Sequence, residues 1–294
     1  MTPNKPEVER LAQCLRRVPL PIKAAALFGS YARGEHVADS DMDILVASEE
    51  LSAKRQRRGK EAALIKQYCP LGIPLDVLLL TPDECSANFR NHNPLFLDIA
   101  SEGLIVFDTD NLLHDLFEQT RTHIREKNIR KIPDGWLFPV LFREPSYLSP
   151  TSNKDFALVM LQDAMRDHDI GGLLAKAGYY DKGVYHFQQA TEKALKAALV
   201  CLGAFKKSHF VAQSLLEIAE AAEIPEDQRK KLIDAGTVAL EIEPEVTWSR
   251  YPGLIDDSLW VPAMEYGPDD AAEAGRRAFT VLSLSREFVS WWFE

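Results

Sequence analysis

The sequence lacks any apolar run long enough to cross a membrane, and it has no excess of positive charge. A membrane-spanning helix needs roughly 20 consecutive apolar residues, and no stretch of the 294 residues approaches that length. Lysine and arginine number 34 against 44 aspartates and glutamates, which gives a formal net charge of −10. Because sequence-independent binding to nucleic acid requires a cationic surface, we expect neither a membrane nor a nucleic acid as a partner.

Cysteine is also scarce, and the sequence contains no internal repeats and no low-complexity tracts. The four cysteines, Cys14, Cys69, Cys85 and Cys201, are scattered and form no C-x-x-C pair. Such cysteines are typical of reduced thiols in the core of a cytoplasmic protein. The first residues lack the apolar core of a secretion signal. We therefore expect a cytoplasmic protein with reduced thiols, long enough for two domains.

The clearest chemical pattern lies between Ala24 and Ala47. Two short apolar runs, 24–28 and 42–47, are typical of neighbouring buried strands, and a polar loop connects them. Asp41 and Asp43 open the second run, and residues two apart on a strand point to the same face. Two adjacent carboxylates repel each other unless a cation lies between them, and hard oxygen ligands suit Mg²⁺.

A third carboxylate and a glycine–serine turn extend this pattern. Asp76 is the only charged residue in the apolar run 73–80, where a lone carboxylate is costly unless it is paired or bound to a metal. Gly29 lets the backbone approach a ligand, and Ser30 offers a hydroxyl and an N–H to a phosphate oxygen. A plain hairpin does not explain three such carboxylates. The pattern therefore indicates a two-metal site for phosphoryl transfer.

The segment GSYARGEHVADSDMDILV resembles the signature of the minimal nucleotidyltransferase (DNA polymerase β-like) superfamily, G-S-x-A-R-G followed by S-D-x-D. The resemblance implies a catalytic site with two Mg²⁺ ions, which Mn²⁺ can replace. The implied metal ligands and catalytic residues are Asp41, Asp43 and Asp76, and the implied nucleotide-binding residues near them are Gly29, Ser30, Arg33 and Ser40.

The second half of the chain is predicted to be almost entirely helical. Apolar periodicity and Gly or Pro breaks predict helices at 156–175, 179–203, 208–222, 225–247 and 268–293. We expect an α+β nucleotidyltransferase domain with a small mixed sheet at 1–130. A proline-rich and aromatic junction follows at 131–155, and an all-α up-and-down helical bundle occupies 156–294.

Within that bundle, HFQQATEKALK, which begins at His186, resembles a helix of the HEPN family through its Q-Q-A-x-E-K-A-L-K part, and TWSRYP at 247–252 is similar to another HEPN element. The Arg-x(4–6)-His motif of active HEPN ribonucleases is absent from residue 156 onward, so ribonuclease activity is not expected. We expect a homodimer from the resemblance and from the apolar end of the last helix, although a buried core explains that end equally well.

One face of this helix carries His186, Gln189, Lys193 and Lys196. Two interpretations remain open for it. The face is either solvated or used in an interdomain or dimer contact, or else Lys193 and Lys196, with Arg250, contact the anionic nucleotide or the acceptor.

These features predict a Mg²⁺-dependent enzyme that transfers AMP from ATP to a hydroxyl group, with the helical domain helping to form the acceptor site. The acceptor is either a small molecule, as the resemblance to aminoglycoside nucleotidyltransferases implies, or a protein tyrosine, as the resemblance to toxin–antitoxin pairs implies. Two alternatives stand beside this prediction: a non-catalytic nucleotide-binding or regulatory module, and a toxin–antitoxin-like fusion with an inactive HEPN half.

Overall fold

The chain forms two units, which separate in the sequence after Asn128. A computed structural model describes residues 5–147, 151–255 and 257–294. The segment 131–155, expected as a junction, belongs to the second unit, and its residues 148–150 lie outside the described residues.

The first unit combines a sheet with helices. Its strands are β1 (Ile22–Phe28), β2 (Met42–Ser48), β3 (Leu75–Leu80) and β4 (Leu104–Asp108). Its helices are α1 (Lys5–Leu15), α2 (Gly29–Arg33), α3 (Gly59–Tyr68), α4 (Pro82–Arg90), α5 (Pro94–Glu102) and α6 (Leu112–Glu126).

The sheet is mixed, as predicted, and has the strand order β3-β2-β1-β4. Strand β1 runs antiparallel to both β2 and β4, whereas β2 and β3 are parallel. Alternate residues of the central strands point to opposite faces. Ala25 and Ile44 pack with α1 and α3 on one side, and Ala24 and Leu45 pack with α4, α5 and α6 on the other. The central strands are therefore covered on both faces, which explains their uninterrupted apolar sequence.

The structure differs from the predicted elements around two polar segments. The residues after β1, expected as a loop, form the short helix α2, and α3 begins at Gly59 after the basic segment 54–58. Arg58 is buried in front of that helix, where its guanidinium donates to both carboxylate oxygens of Glu84 at 2.6 and 3.1 Å. These bonds hold the pKa of Glu84 at about 2. This arginine therefore has a structural role within the first unit.

Two of the four cysteines are not the reduced thiols that were expected. Cys14 on α1 and Cys69, directly after α3, form a disulfide between positions 55 residues apart. Cys85 and Cys201 are free and buried, and burial raises the pKa of the Cys85 thiol to about 12. The expectation is therefore wrong for the first pair. Spacing in the sequence did not reveal it, because the two cysteines approach only when α1 and α3 pack on the same side of the sheet.

A pair of histidines stacks face to face within the first unit. The rings of His92 and His123 have centroids 3.5 Å apart and planes inclined by 5°. Burial, together with the positive charges of His92 and Lys127, lowers the pKa of His123 to about 4. A histidine in an unfolded chain has a pKa of about 6.5. As the pH falls from about 6.5 to about 4, the unfolded state binds the proton first, so the free energy of unfolding decreases.

We expect His123→Phe to remove this pH dependence while keeping a stacked ring. In the wild type, hydrogen-exchange protection of α6, corrected for intrinsic exchange rates, should fall between about pH 7.5 and about pH 5. The variant should lose less protection over that interval. The five tryptophans all lie in the second unit, so their fluorescence serves as an internal control. The same pH dependence in both proteins would contradict the assignment to His123.

The second unit is mainly helical. Its helices are α7 (Asn153–Lys176), α8 (Tyr180–Cys201), α9 (Ala212–Ala221), α10 (Glu226–Leu240), α11 (Glu245–Trp248), α12 (Pro262–Glu265) and α13 (Pro268–Phe293). Its strands are β5 (Arg130–Ile132), β6 (Gly135–Leu137), β7 (Ala204–Lys206), β8 (Gly253–Ile255) and β9 (Ser258–Trp260).

The long helices α7, α8, α10 and α13 enclose the core of this unit, together with α9. The expected helix 225–247 divides into α10 and α11, and the expected loop 248–267 contains the β8–β9 hairpin and α12. The sequence did not predict the small sheet β5-β6-β7, because its three strands have only three residues each and β6 pairs with β7 across about 70 positions of the chain. No helix in the described part of the chain combines the length and hydropathy needed to cross a bilayer.

Candidate active site

The three aspartates singled out in the sequence lie at the beginnings of β2 and β3. Asp43 and Asp76 are register partners in this parallel pair, so their side chains lie on the same face of the sheet. Asp41 comes two residues before Asp43, directly ahead of β2, and its negative charge acts on the Asp43 carboxyl. Asp41 and Asp76 are exposed, whereas Asp43 is half-buried. The structure therefore brings the three carboxylates together at the rim of the sheet and not inside a dry core.

Their proximity is visible in the electrostatics of Asp43. Burial raises the pKa of the Asp43 carboxyl, and the negative charges of Asp76 and Asp41 raise it further, while Arg33 opposes them. Each contribution has a physical cause, because burial and like charges disfavour the ionised form and a nearby guanidinium favours it. Asp43 is thus the central member of the carboxylate group, and a cation would relieve its unfavourable environment.

Gly29 lies directly against Asp43. Its neighbour Phe28 is the register partner of Asp43 across the β1–β2 pair. A Cβ atom on Gly29 would lie 2.1 Å from Asp43 Oδ2, and the residue has a φ of +71°. Both the left-handed backbone and the lack of space require glycine here. Ser30 follows Gly29 in the first turn of α2.

Arg33 provides the positive charge next to this group. Its Nε donates to Glu35 at 2.6 Å, and its Nη1 donates to Glu102 at 3.3 Å. The guanidinium is therefore held by two carboxylates while its charge also reaches Asp43. An incoming phosphate would have to share this arginine with Glu35 and Glu102. The sequence did not reveal Glu102 as a partner, since it lies 69 residues away on α5.

The donor set fits a hard divalent cation. Among the described residues, no group of three or more His, Cys, Asp or Glu side chains is placed to hold a metal ion by itself. Mg²⁺ does not require such a group, because it keeps several waters and binds through one or two carboxylates plus substrate phosphates. Carboxylates at an exposed strand edge, with a glycine that leaves room beside Asp43, meet that requirement.

An aromatic pair that the sequence did not identify connects α2 to the loop before β2. Tyr31 is buried on α2, and the ring of His36 stacks on it. Burial raises the pKa of Tyr31, and the charges of Glu7 and Asp41 raise it further. Ser40, predicted to bind nucleotide, closes a turn in this loop, where its Oγ accepts from the Val37 N–H at 2.9 Å.

The two lysines of the HEPN-like helix already have carboxylate partners. Lys193 donates to Asp163 at 2.6 Å and also to Asp167, and Lys196 donates to Glu192 at 2.7 Å. Burial lowers the pKa of Lys193, but the two hydrogen bonds outweigh it and raise the pKa overall. Nucleotide binding by either lysine stays a prediction, and it would require exchange of these partners.

Both units match known domain families. One family model, described as a nucleotidyltransferase domain, matches residues 8–103, and another, described as a HEPN domain, matches residues 157–288. Two relatives from Methanocaldococcus jannaschii were found. "Putative toxin MJ1304" is 29% identical over 137 residues, which are 47% of this chain and 90% of the relative. "Putative protein adenylyltransferase MJ1305" is 30% identical over 119 residues, 40% of this chain and 80% of the relative.

Among solved structures, TT1696 from Thermus thermophilus is 25% identical, with a TM-score of 0.36 over 45% of this chain and 97% of that one. The domain assignment depends on the two family models and the archaeal relatives. The predicted combination of domains is confirmed. The chain contains a nucleotidyltransferase domain at residues 8–103, followed by a HEPN domain at residues 157–288.

Proposed function

We propose that the protein is a Mg²⁺-dependent nucleotidyltransferase that moves AMP from ATP to a hydroxyl group. One observation carries the proposal: Asp41, Asp43 and Asp76 converge at one edge of the sheet, beside a glycine whose missing side chain leaves room for Asp43. A protein that only binds nucleotide has no need for three carboxylates that repel one another. The family of the first unit agrees with this chemistry.

In the proposed reaction, the acceptor hydroxyl oxygen attacks the α-phosphorus of ATP. A new oxygen–phosphorus bond forms, the bond to the bridging oxygen breaks, and pyrophosphate leaves. Asp76 is exposed and can accept the hydroxyl proton, while Gly29 and Ser30 hold the β- and γ-phosphates and Arg33 supplies positive charge. Mg²⁺ held by the three aspartates would neutralise phosphate charge and activate the attacking oxygen.

The printed names of the relatives, a toxin and a protein adenylyltransferase, support a protein hydroxyl as the acceptor, with a small molecule as the other candidate. The second unit contributes to acceptor recognition in this proposal. Two of its tyrosines, Tyr179 and Tyr251, are each 60% exposed, whereas Tyr180 and Tyr185 are only partly exposed. The exposed pair therefore provides the first targets for self-modification.

The test is incubation of the purified chain with ATP labelled at its α-phosphate and Mg²⁺, with and without candidate acceptors. Intact-mass and peptide mass spectrometry would locate any AMP on the protein, and chromatography would detect AMP on small molecules. We expect label transfer that requires the divalent cation. No transfer to any acceptor, combined with ATP binding that is independent of metal, would instead favour a non-catalytic nucleotide-binding module.

A toxin–antitoxin-like role is the second candidate, because the two families found in one chain here resemble two separately named proteins in the archaeon. The HEPN unit of this chain lacks the Arg-x(4–6)-His motif. Under this alternative the helical unit is a binding partner without ribonuclease activity. Expression of residues 129–294 alone tests this alternative. Normal growth would agree with an inactive helical unit, whereas growth arrest would show that the unit is toxic by itself.

A further inference from the structure

The loop that leads from α2 to Asp41 contacts the core of the first unit through the ring of His36. The backbone turns at Gly34, which has a φ of +71°, and then continues through residues 35–40 to the first metal-site aspartate. Glu35 and residues 37–39 are exposed, whereas His36 is half-buried. Glu35 is bonded to Arg33 on α2, and His36 is the loop residue whose ring contacts a core side chain.

The attachment is an aromatic stack. The ring centroids of His36 and Tyr31 are 4.0 Å apart, and their planes are inclined by only 7°. Tyr31 is 6% exposed and packs with Ala32, Met42 and Ile44 in the core between the sheet and α1. The core thus holds the Tyr31 ring in place, and the His36 ring is held by stacking on its face.

Hydrogen bonding at the buried ring nitrogen does not account for this placement. Nδ1 of His36 is buried and has no hydrogen-bond partner among the described residues. A buried polar atom without a partner is unfavourable, so the nitrogen contributes no stabilising contact there. What holds the imidazole is its flat surface on Tyr31, and a ring without nitrogen could do the same.

The stack is connected to Asp41 through a closed turn. The Ser40 N–H donates to the Val37 carbonyl at 3.0 Å, and the Val37 N–H donates to Ser40 Oγ at 2.9 Å. These two bonds make residues 37–40 a compact turn, with His36 before it and Asp41 directly after it. Fixing one end of such a turn restricts the other end, because few backbone dihedrals remain free.

We propose that His36, by stacking on Tyr31, positions the loop that carries Asp41 and thereby increases the affinity of the Asp41–Asp43–Asp76 group for a divalent cation. The inference depends on the proposed function in one respect, that these carboxylates bind a cation. His36 is a positioning residue in this account, since it acts through the loop and touches neither substrate nor metal.

The test is the affinity of the full chain for Mn²⁺, measured from the electron paramagnetic resonance signal of the free ion, so that no catalytic activity is needed. His36→Ala removes the stack, and His36→Phe keeps a ring that can stack without a nitrogen. Val37→Ala is the matched control in the same loop, because Val37 is 69% exposed. Asp43→Asn defines which binding belongs to the carboxylate group.

We expect His36→Ala to bind Mn²⁺ about three- to tenfold more weakly than the wild type, the range that the loss of one aromatic pair implies. His36→Phe and Val37→Ala should bind like the wild type. Hydrogen-exchange protection of β1 and β2 should be unchanged in His36→Ala, which would show that the sheet is still folded.

The outcomes separate this inference from the proposed function. If the wild type shows no Mn²⁺ binding that Asp43→Asn removes, the metal-dependent function fails and the inference fails with it. If that binding is present but His36→Ala leaves it unchanged, only the inference is overturned. If His36→Phe binds as weakly as His36→Ala, the ring nitrogen is what matters, and positioning by stacking is also wrong.

Discussion

We expect Asp43→Asn to reduce nucleotidyl transfer by about 10³-fold or more, because a metal ligand supplies several kcal/mol of transition-state stabilisation. The substitution keeps the shape of the side chain and removes its charge. Asp43 is the half-buried member of the group, and it is the member whose pKa is raised by burial and by both neighbouring aspartates.

The same substitution should leave the first unit at least as stable as before. A carboxyl whose pKa is raised in the folded state loses stability when it ionises, so above its unfolded pKa of about 3.9 the charge opposes folding. Removing the charge at neutral pH should therefore maintain or increase hydrogen-exchange protection of β2 and β3. Lost transfer together with unchanged or higher protection would identify Asp43 as a residue retained for chemistry.

Asp39→Asn provides the matched control. Asp39 lies in the loop directly before β2 and is exposed, and the substitution removes the same charge at a position outside the predicted ligand set. Its transfer rate should stay close to that of the wild type. The assignment would be untenable if Asp39→Asn lost as much activity as Asp43→Asn, or if Asp43→Asn remained active.

The second large effect is expected at Gly29. In Gly29→Ala the new Cβ would lie 2.1 Å from Asp43 Oδ2, so the carboxylate has to move. A displacement of about 1 Å in a catalytic group can reduce the rate by about 10²-fold, and we expect a loss of at least that size. The left-handed backbone adds a destabilisation of about 1–2 kcal/mol for a residue with a side chain.

Gly59→Ala is the control for this experiment. Gly59 belongs to the same unit, but a methyl group added there would meet no atom within 4 Å, and its φ is not positive. Gly59 begins α3, where alanine is the better helix former by up to about 1 kcal/mol. The control should transfer AMP at the wild-type rate with equal or greater protection. Similar activities for the two alanine variants would show that close approach at Gly29 is not needed.

Much of the site could be predicted from the sequence because its pattern is local. Short apolar runs, a glycine–serine break and aspartates two apart define strands and the face that they share. Asp76 could be added because a single charge in an apolar strand requires a partner. The structure places Asp76 in register with Asp43, although the catalytic role of each aspartate stays a prediction.

The sequence could not predict the ion-pair partners of the candidate site residues, because these partners come from distant parts of the chain. Glu102 pairs with Arg33, and Asp163 pairs with Lys193, across 69 and 30 positions. Either contact depends on how separate elements pack. No periodicity within one element carries information about which acid will meet a given base.

The sequence by itself determined the two families, the strands that bear the aspartates and the long helices, since motif spacing and hydrophobic periodicity are properties of neighbouring residues. Only the tertiary structure decided that Cys14 and Cys69 form a disulfide, that Gly29 contacts the carboxylate of Asp43, and that His36 stacks on Tyr31. Those features depend on side-chain positions within a few ångströms, which are set when helices and strands pack around a common core.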